Sequence, residues 1–396
     1  MPDSKHLALI AGVSSLGVFA GSLIAPIEAR YIESITNNPV LTGTVFGFGS
    51  VFFAVLSVYI GRLSDRVGRK RVILIGLLIG ALYAILYSLV LNVFQLYGVK
   101  FAWALSAVAT GPVLAAYLQD FLELHKNKGR YFGYVYSVQS ISGSAGAIVG
   151  GFVAETFGLT APFVILAGVY IVMFSLTALI LPKETTENLT EEKGLQMSIF
   201  ETFTFILKKP ELLFYLSLNT SYGINWGIKV FLWPLAIFAI AKSDLVTGSI
   251  FATMGVVAFV LLPFAGRIVD YYGPFKISFF QFALLGLTGT GLALTDSITW
   301  FWFFAALYTI GEVLNVSQIV LFTENVPNHI RGAVVGLDAA MDQLLAVIAP
   351  FIAGFLILSF GIQMTLFIFM SLYWVSLLFS GVVYWRFIKN TYKQNV

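Results

Sequence analysis

Apolar residues run along this chain in long blocks separated by short polar breaks. A helix crosses a bilayer with about 20 mostly apolar residues. Twelve stretches meet that condition: 7–28, 41–60, 72–92, 96–119, 131–153 and 160–181, then 211–238, 246–264, 277–295, 299–322, 332–358 and 363–386. Barrel strands would be about 10 residues long and would alternate polar with apolar positions. Segments such as LLGLTGTGLAL and VILAGVYIVMF do not alternate that way. Backbone groups in lipid must be satisfied within their own segment, so the pattern predicts helices.

The widest polar break is 182–197, with KETTENLTEEKG at its centre. It predicts three parts: a six-helix bundle over 1–181, a cytoplasmic linker over 182–209 and a second six-helix bundle over 210–396. Within the linker, SIFETFTFILKK (198–209) reads either as a short helix lying on the inner leaflet or as an extension of the seventh stretch.

Charge adds an orientation. With the N-terminus inside, 19 of the 23 Lys and Arg residues fall on cytoplasmic loops and tails, and only Arg30 and Lys242 fall on outer loops. Positively charged loops stay inside, so both termini are expected in the cytoplasm of a cell bounded by this plasma membrane. Composition agrees: 58% hydrophobic and 11% charged, against about 25% charged in soluble domains. The net charge of +3 has this membrane explanation, and no nucleic-acid partner is expected. With no cysteine and three scattered histidines (His6, His125, His329), no metal cluster is expected. No phosphate-binding GxxxxGK[ST] loop occurs, and the first stretch lacks a signal-peptide cleavage pattern.

The chain repeats itself. GRLSDRVGRKR begins at Gly61, and GRIVDYYGPFK begins at Gly266, 205 residues later. Lys128-Gly129-Arg130-Tyr131-Phe132-Gly133 and Arg331-Gly332-Ala333-Val334-Val335-Gly336 match in outline at an offset of 203. Paired halves are a common construction of secondary transporters. The run from Gly61 to Lys70 resembles the signature loop between the second and third helices of the major facilitator superfamily. The second copy is weaker, since Tyr271, Tyr272 and Pro274 replace Arg66, Val67 and Arg69. The resemblance spans almost the whole chain. It implies an all-α integral membrane protein with twelve transmembrane helices in two pseudo-symmetric six-helix bundles, the major facilitator fold. It also implies that Gly61, Asp65, Arg66, Gly68 and Arg69 brace the cytoplasmic ends of the two halves, with Asp65 meeting the start of the eleventh helix. Asp120, Arg130, Asp270 and Arg331 join that expected gate. Gly146-Ala147-Ile148-Val149-Gly150-Gly151 resembles the antiporter signature of drug exporters in the superfamily, with Ala147 in place of its proline. The plainer reading is a small-residue face packed on another helix.

Charges inside the predicted spans supply the candidate site, since intramembrane ionisable groups are costly and usually functional. Glu312, Asp342 and Asp338 are the candidate proton-coupling residues, with Asp338 and Asp342 one helical turn apart. Lys229, Asn225, Trp226, Tyr222, Asn315, Tyr308 and Gln139 are the candidate cavity residues. Lys229 would pair with Glu312 or take a substrate anion, and fixed ion pairs between helices remain the structural alternative. Glu28, Arg30 and Lys100 are candidate outer-gate residues, although snorkelling to the interface is the simpler reading of Lys100 and Glu28. Tyr222, Trp226 and Trp233 share one broad face, as do Phe301, Phe304, Tyr308 and Glu312. Bends are expected at Gly111-Pro112 and Trp233-Pro234.

The expected function is therefore non-enzymatic: secondary active transport by alternating access. A small-molecule substrate and membrane lipids are the expected partners, and the chain is expected to act as a monomer. No cofactor is expected, and a proton gradient is the expected energy source. Export of small lipophilic or cationic compounds leads; proton symport or facilitated passage of an organic anion or sugar follows. A non-transporting receptor or lipid-handling scaffold would require permanently paired interior charges and no cavity.

Overall fold

The computed structural model describes residues 4–123, 128–180, 199–327 and 330–389. Among them the elements are helices: α1 (Ser4–Ile24), α2 (Glu28–Thr36), α3 (Pro39–Val67), α4 (Arg69–Ser88), α5 (Val93–Val108), α6 (Leu114–Glu123), α7 (Lys128–Phe157) and α8 (Ala161–Ile180). After the 181–198 segment come α9 (Ile199–Lys208), α10 (Pro210–Ala241), α11 (Asp244–Tyr272), α12 (Pro274–Leu294), α13 (Ile298–Val313), α14 (Val316–Asn325) and α15 (Arg331–Val383). Nine described helices or continuous helix runs are long and apolar enough to cross a membrane, and the bent α1–α2 pair makes up to ten. One of the nine, Leu337–Ile388, holds two helices that meet at Gly361, whose φ of 79° breaks the run. Large apolar side chains such as Val55, Ile75, Leu82, Val164, Leu287 and Leu378 are exposed, as expected of a surface solvated by lipid. This is an all-α integral membrane protein.

Local chemistry sets the boundaries. Asn38 caps α3 by accepting from the amides of Val40 and Leu41, with Pro39 in the first turn. Asn92 caps α5 and Ser243 caps α11 in the same way. Gly68 ends α3 at φ 94°, and Gly273 ends α11 at φ 84°. The duplicated loops thus turn on left-handed glycines 205 positions apart, where a side chain would strain the backbone.

Three expected stretches prove irregular. The first breaks after Ile24 at Ala25-Pro26-Ile27 and resumes as α2, bent by 40°. The fourth passes through a π-helical turn, Ala109–Val113, that contains Pro112. The tenth breaks at Leu314 and Asn315, between α13 and α14. By the 203 offset this last break matches Gly111 and Pro112, so the repeat keeps an interruption at one depth while changing its chemistry. At Gly111-Pro112, where a bend is expected, the helix passes through this π turn. At Pro234, α10 continues as one helix.

α9 is a separate helix, not an extension of α10. Lys209 is extended (φ −98°, ψ 114°), the conformation favoured before a proline, and Pro210 opens α10. Ile206 of α9 packs with Leu212, Tyr215, Phe322, Val326, Ile330 and Val334. The rest of the expected linker, 182–198, lies outside the described residues.

Helices before and after that segment meet along two seams. In one, α3 packs on α15: a Cβ on Gly43 would strike the Pro350 carbonyl, and one on Gly354 would lie 2.8 Å from Val40 Cα. In the other, α7 packs on α11, with Gly151 against Asp244 and Gly248, and Gly248 against Ala147. Gly146 and Gly150 of the same run meet the α1 backbone at Phe19 and Leu23. The glycines of α7 therefore serve two helices at once, which is the packing role foreseen for them.

Candidate functional site

Between these helices lies a cavity of about 280 Å³. α1 contributes Val18 and Ser22, and Ala25 lines it just past the helix end. α7 contributes Gln139, Ser140, Gly143, Ser144 and Ala147, and α11 contributes Phe251, Met254, Gly255 and Ala258. α10 adds Trp226 and Lys229, and α13 adds Thr309 and Glu312. One wall therefore carries hydroxyls and an amide, another an ion pair, and most of the rest is apolar.

That pair is bidentate. Lys229 Nζ donates to Glu312 Oε1 at 2.6 Å and to Oε2 at 2.7 Å. The two side chains are only 13% and 14% exposed, so little water screens them. The ammonium also stands 5.5 Å from the Trp226 ring centre, 5.6 Å from Trp233 and 5.9 Å from Tyr308. Such faces give a cation an alternative seat worth about 2 kcal/mol when desolvated. Trp226 is exposed into this space at 53%, whereas Trp233 is fully buried against Phe301 and Tyr308.

Several expected cavity residues sit elsewhere. Asn225 is fully buried and donates to the carbonyls of Ser221 and Phe369, because its side chain turns back between α10 and α15. Tyr308 is buried and bonded to Tyr373 at 2.6 Å, so only its ring reaches the Lys229 site. Asn315, at the α13–α14 break, accepts from Gln281 of α12 in a polar cluster with Ser317, Ser278 and Gln318. Tyr222 is half-buried at the edge of the core and is not among the cavity-lining residues. Gln139 does line the cavity and donates to Ser14 at 3.2 Å.

Asp338 and Asp342 form a second polar centre, on α15 against α10. Asn219 donates to Asp342 at 3.0 Å and to Asp338 at 3.3 Å, and the Tyr215 hydroxyl donates to Asp338 at 2.7 Å. Two carboxylates sharing one amide are separate from the Lys229–Glu312 pair.

Glu28 and Lys100 do not snorkel. They are 6% and 2% exposed and paired at 2.7 Å, because α3, α4 and α5 enclose them before either head reaches an interface. Arg30, two residues further on, joins segments 214 residues apart: it donates to Asp244 at the start of α11 and lies 3.6 Å over the centre of the Phe238 ring. Glu155, near the end of α7, accepts from the Asp244 amide at 2.6 Å and from the Leu245 amide at 3.3 Å. A carboxylate fits there, at a helix start rich in unpaired amides. Sequence reading missed Asp244 and Glu155, which look like ordinary charges at span ends. Their significance lies in partners 214 and 89 residues away.

At the basic end of the bundle, Asp65 pairs with Arg69 at 3.5 Å, one turn along. The two glycine seams and the Arg30 contact lie at the opposite end. Arg66 and Asp270 are exposed, Gly61 has open space around it, and Gly68 supplies the turn. Asp120, Arg130 and Arg331 have side chains outside the described residues.

Comparison with known proteins places this geometry. A sequence profile described as the Major Facilitator Superfamily matches residues 7–337 and 218–395. The multidrug resistance protein MdtG of Proteus mirabilis (strain HI4320) is 23% identical over 377 residues, covering 91% of each chain. MdtG of Escherichia coli O17:K52:H18 (strain UMN026 / ExPEC) is 28% identical over 281 residues, 67% of each. The crystal structure of the nucleoside transporter NupG superposes with a TM-score of 0.80 at 14% identity, covering 96% of this chain and 99% of that one. The overlapping profile matches, with the two glycine-terminated repeat loops, show that the chain belongs to the Major Facilitator Superfamily.

Proposed function

We propose that this protein is a proton-coupled exporter of small lipophilic or cationic compounds that works by alternating access. The observation that carries the reading is the Lys229–Glu312 pair on the wall of a largely apolar cavity. Glu312 serves a proton and a cationic substrate in turn. When either arrives, Lys229 gives up the carboxylate and rests against Trp226, Trp233 and Tyr308. The proton-loaded and cation-loaded sites then carry the same net charge, so each can cross the same barrier. With neither bound, the pair closes on itself and the empty carrier stays put. The similarity to proteins named for multidrug resistance supports the substrate class.

The same reading takes the fold as twelve crossing helices in two six-helix bundles, over 1–181 and 210–396, with the basic end cytoplasmic. Glycine seams and the Arg30–Asp244 contact at the opposite end then support a conformation closed to the outside. Asp338 and Asp342 act within the second bundle, and the Gly61–Arg71 loop braces the cytoplasmic side in the other conformation.

One observation favours a second reading. Protonation of Glu312 leaves Lys229 as an unpaired ammonium in the cavity, which suits an organic anion travelling with the proton. Proteoliposomes under an imposed pH gradient decide between them. Driven movement of ethidium supports export. Driven uptake of organic anions without ethidium transport supports symport, and the absence of both fluxes counts against both readings.

A further inference from the structure

The proposed cycle leaves a second carboxylate–ammonium pair unused. Glu28 of α2 and Lys100 of α5 stand 2.7 Å apart and almost wholly buried. The duplication relates α1–α2 to α10 and α5–α6 to α13–α14. The two pairs therefore join corresponding helices with their charges exchanged: Glu28 with Lys100, Lys229 with Glu312. A buried ion pair contributes little stability over well-packed apolar residues and is costly to keep in a membrane.

Four placements show what the pair is near. Ala25 lines the cavity, and Glu28 lies three residues further along, past the Pro26 bend. Lys100 Nζ also lies 4.5 Å from the Phe46 ring centre and 5.1 Å from that of Trp103, a second seat for the ammonium. Phe46 in turn stacks at 5.5 Å on Phe231 of α10, between Gly43 and Gly47 of the α3–α15 seam. Arg30, on the same short helix as Glu28, reaches across to Asp244. An opening that parts α3 and α2 from α10, α15 and α11 would break the Phe46–Phe231 and Arg30–Asp244 contacts on either side of the pair.

We infer that Glu28 is a proton-entry carboxylate, locked by Lys100 while this end is sealed and released when it opens. The inference rests on the proton-coupled reading above. In the open form a proton from water on that side adds to a Glu28 carboxylate oxygen. Lys100 keeps its own protons and moves onto the Phe46 and Trp103 faces. The proton then passes through cavity water to Glu312, and Glu28, an anion again, re-forms the pair as the seal closes. Lys100 from α5 and Tyr87 from α4 bond Glu28 directly; behind Tyr87 lie Tyr83 of α4 and Tyr170 of α8, and Tyr31 of α2 donates to the Tyr87 carbonyl. The Tyr87 hydroxyl donates to Glu28 Oε1 at 3.0 Å, the oxygen that Lys100 also holds. α3 brings the aromatic Phe46 to the ammonium.

The test is the double variant Glu28→Gln/Lys100→Met, which removes the proton acceptor without stranding a charge. In proteoliposomes, ethidium exchange without a pH gradient should stay near wild type, while gradient-driven ethidium flux should fall roughly a hundredfold. Glu28→Asp, with a shorter reach, serves if the double variant does not fold, and should also lower driven flux while sparing exchange. Undiminished driven flux in the variant that folds overturns the assignment. Equal loss of exchange and driven flux marks a purely structural pair and overturns it too. A wild type without driven ethidium flux removes the export reading on which it stands. Wild-type flux matched by the variant overturns the Glu28 assignment alone.

Discussion

The two ion pairs share their chemistry and nearly their length, 2.6 Å for Lys229–Glu312 and 2.7 Å for Glu28–Lys100. Their surroundings differ. Lys229 and Glu312 face a cavity and keep 13% and 14% of their side chains accessible, whereas Lys100 and Glu28 keep 3% and 8%. Glu312 commits both oxygens to the ammonium, whereas Glu28 commits one and shares it with Tyr87. In the proposed cycle an entering ligand competes for Glu312 at once, whereas Glu28 must first lose its seal. What separates an exchangeable pair from a locked one is the neighbouring packing, not the pair itself.

The largest expected effect breaks the comparison on the cavity side. Glu312→Gln removes the group proposed to alternate between proton and substrate, so gradient-driven ethidium flux should fall by at least about a hundredfold. Exchange without a gradient should fall less, since the apolar walls remain. Proteoliposome flux under both conditions measures this, and driven flux at wild-type level would remove Glu312 from the coupling step.

Lys229→Met asks whether the ammonium competes with the substrate. Without it, a lipophilic cation meets an unopposed carboxylate, and ethidium affinity at alkaline pH should tighten about tenfold, roughly 1.4 kcal/mol. Fluorescence titration reads the constant directly. Loss of organic-anion uptake with no gain in ethidium affinity would favour the symport reading.

Gly43→Leu attacks the seal over the locked pair. Its Cβ would meet the Pro350 backbone, which cannot move aside as a side-chain tip can. Overpacking of this kind costs about 1–3 kcal/mol, enough to shift the balance toward the open form roughly tenfold. The chain has no cysteine, so a single Ala25→Cys reporter can be added cleanly. Its labelling by an impermeant maleimide from the sealed side should speed up accordingly. An unchanged rate would place the barrier elsewhere.

Much of this was legible in the sequence. Length and apolarity marked the helices, and the loops at Gly61 and Gly266 marked the repeat, because a turn with positive φ needs glycine at Gly68 and Gly273. Lys229 and Glu312 were legible as a pair because charges in long apolar segments have few places to go. The Glu28–Lys100 pair was misread, since a charge near a span end looks the same whether it snorkels or turns inward. Only the break at Ala25-Pro26-Ile27, which starts a new helix at Glu28, decides between the two. Asn225 and Tyr308 share helices with true cavity residues, and a heading on the helix wheel does not say which neighbour fills the space. Asp244 and Glu155 needed the fold itself, because each finds its partner across the chain.

The smallest expected effect sharpens the comparison on the locked side. Arg30 is 28% exposed where it meets Asp244, itself 4% exposed, so water and salt weaken the contact. Partly exposed pairs contribute up to about 1 kcal/mol, which limits Arg30→Gln to roughly a fivefold rise in Ala25→Cys labelling from the sealed side. The glycine seams and the Glu155 cap on α11 remain in that variant and keep the closed form dominant. High salt should reproduce part of the rise in the wild-type background and add little to Arg30→Gln. If labelling is unchanged in both, α2 is held by packing alone. The lock on Glu28 then answers to α3 rather than to the charge two residues away.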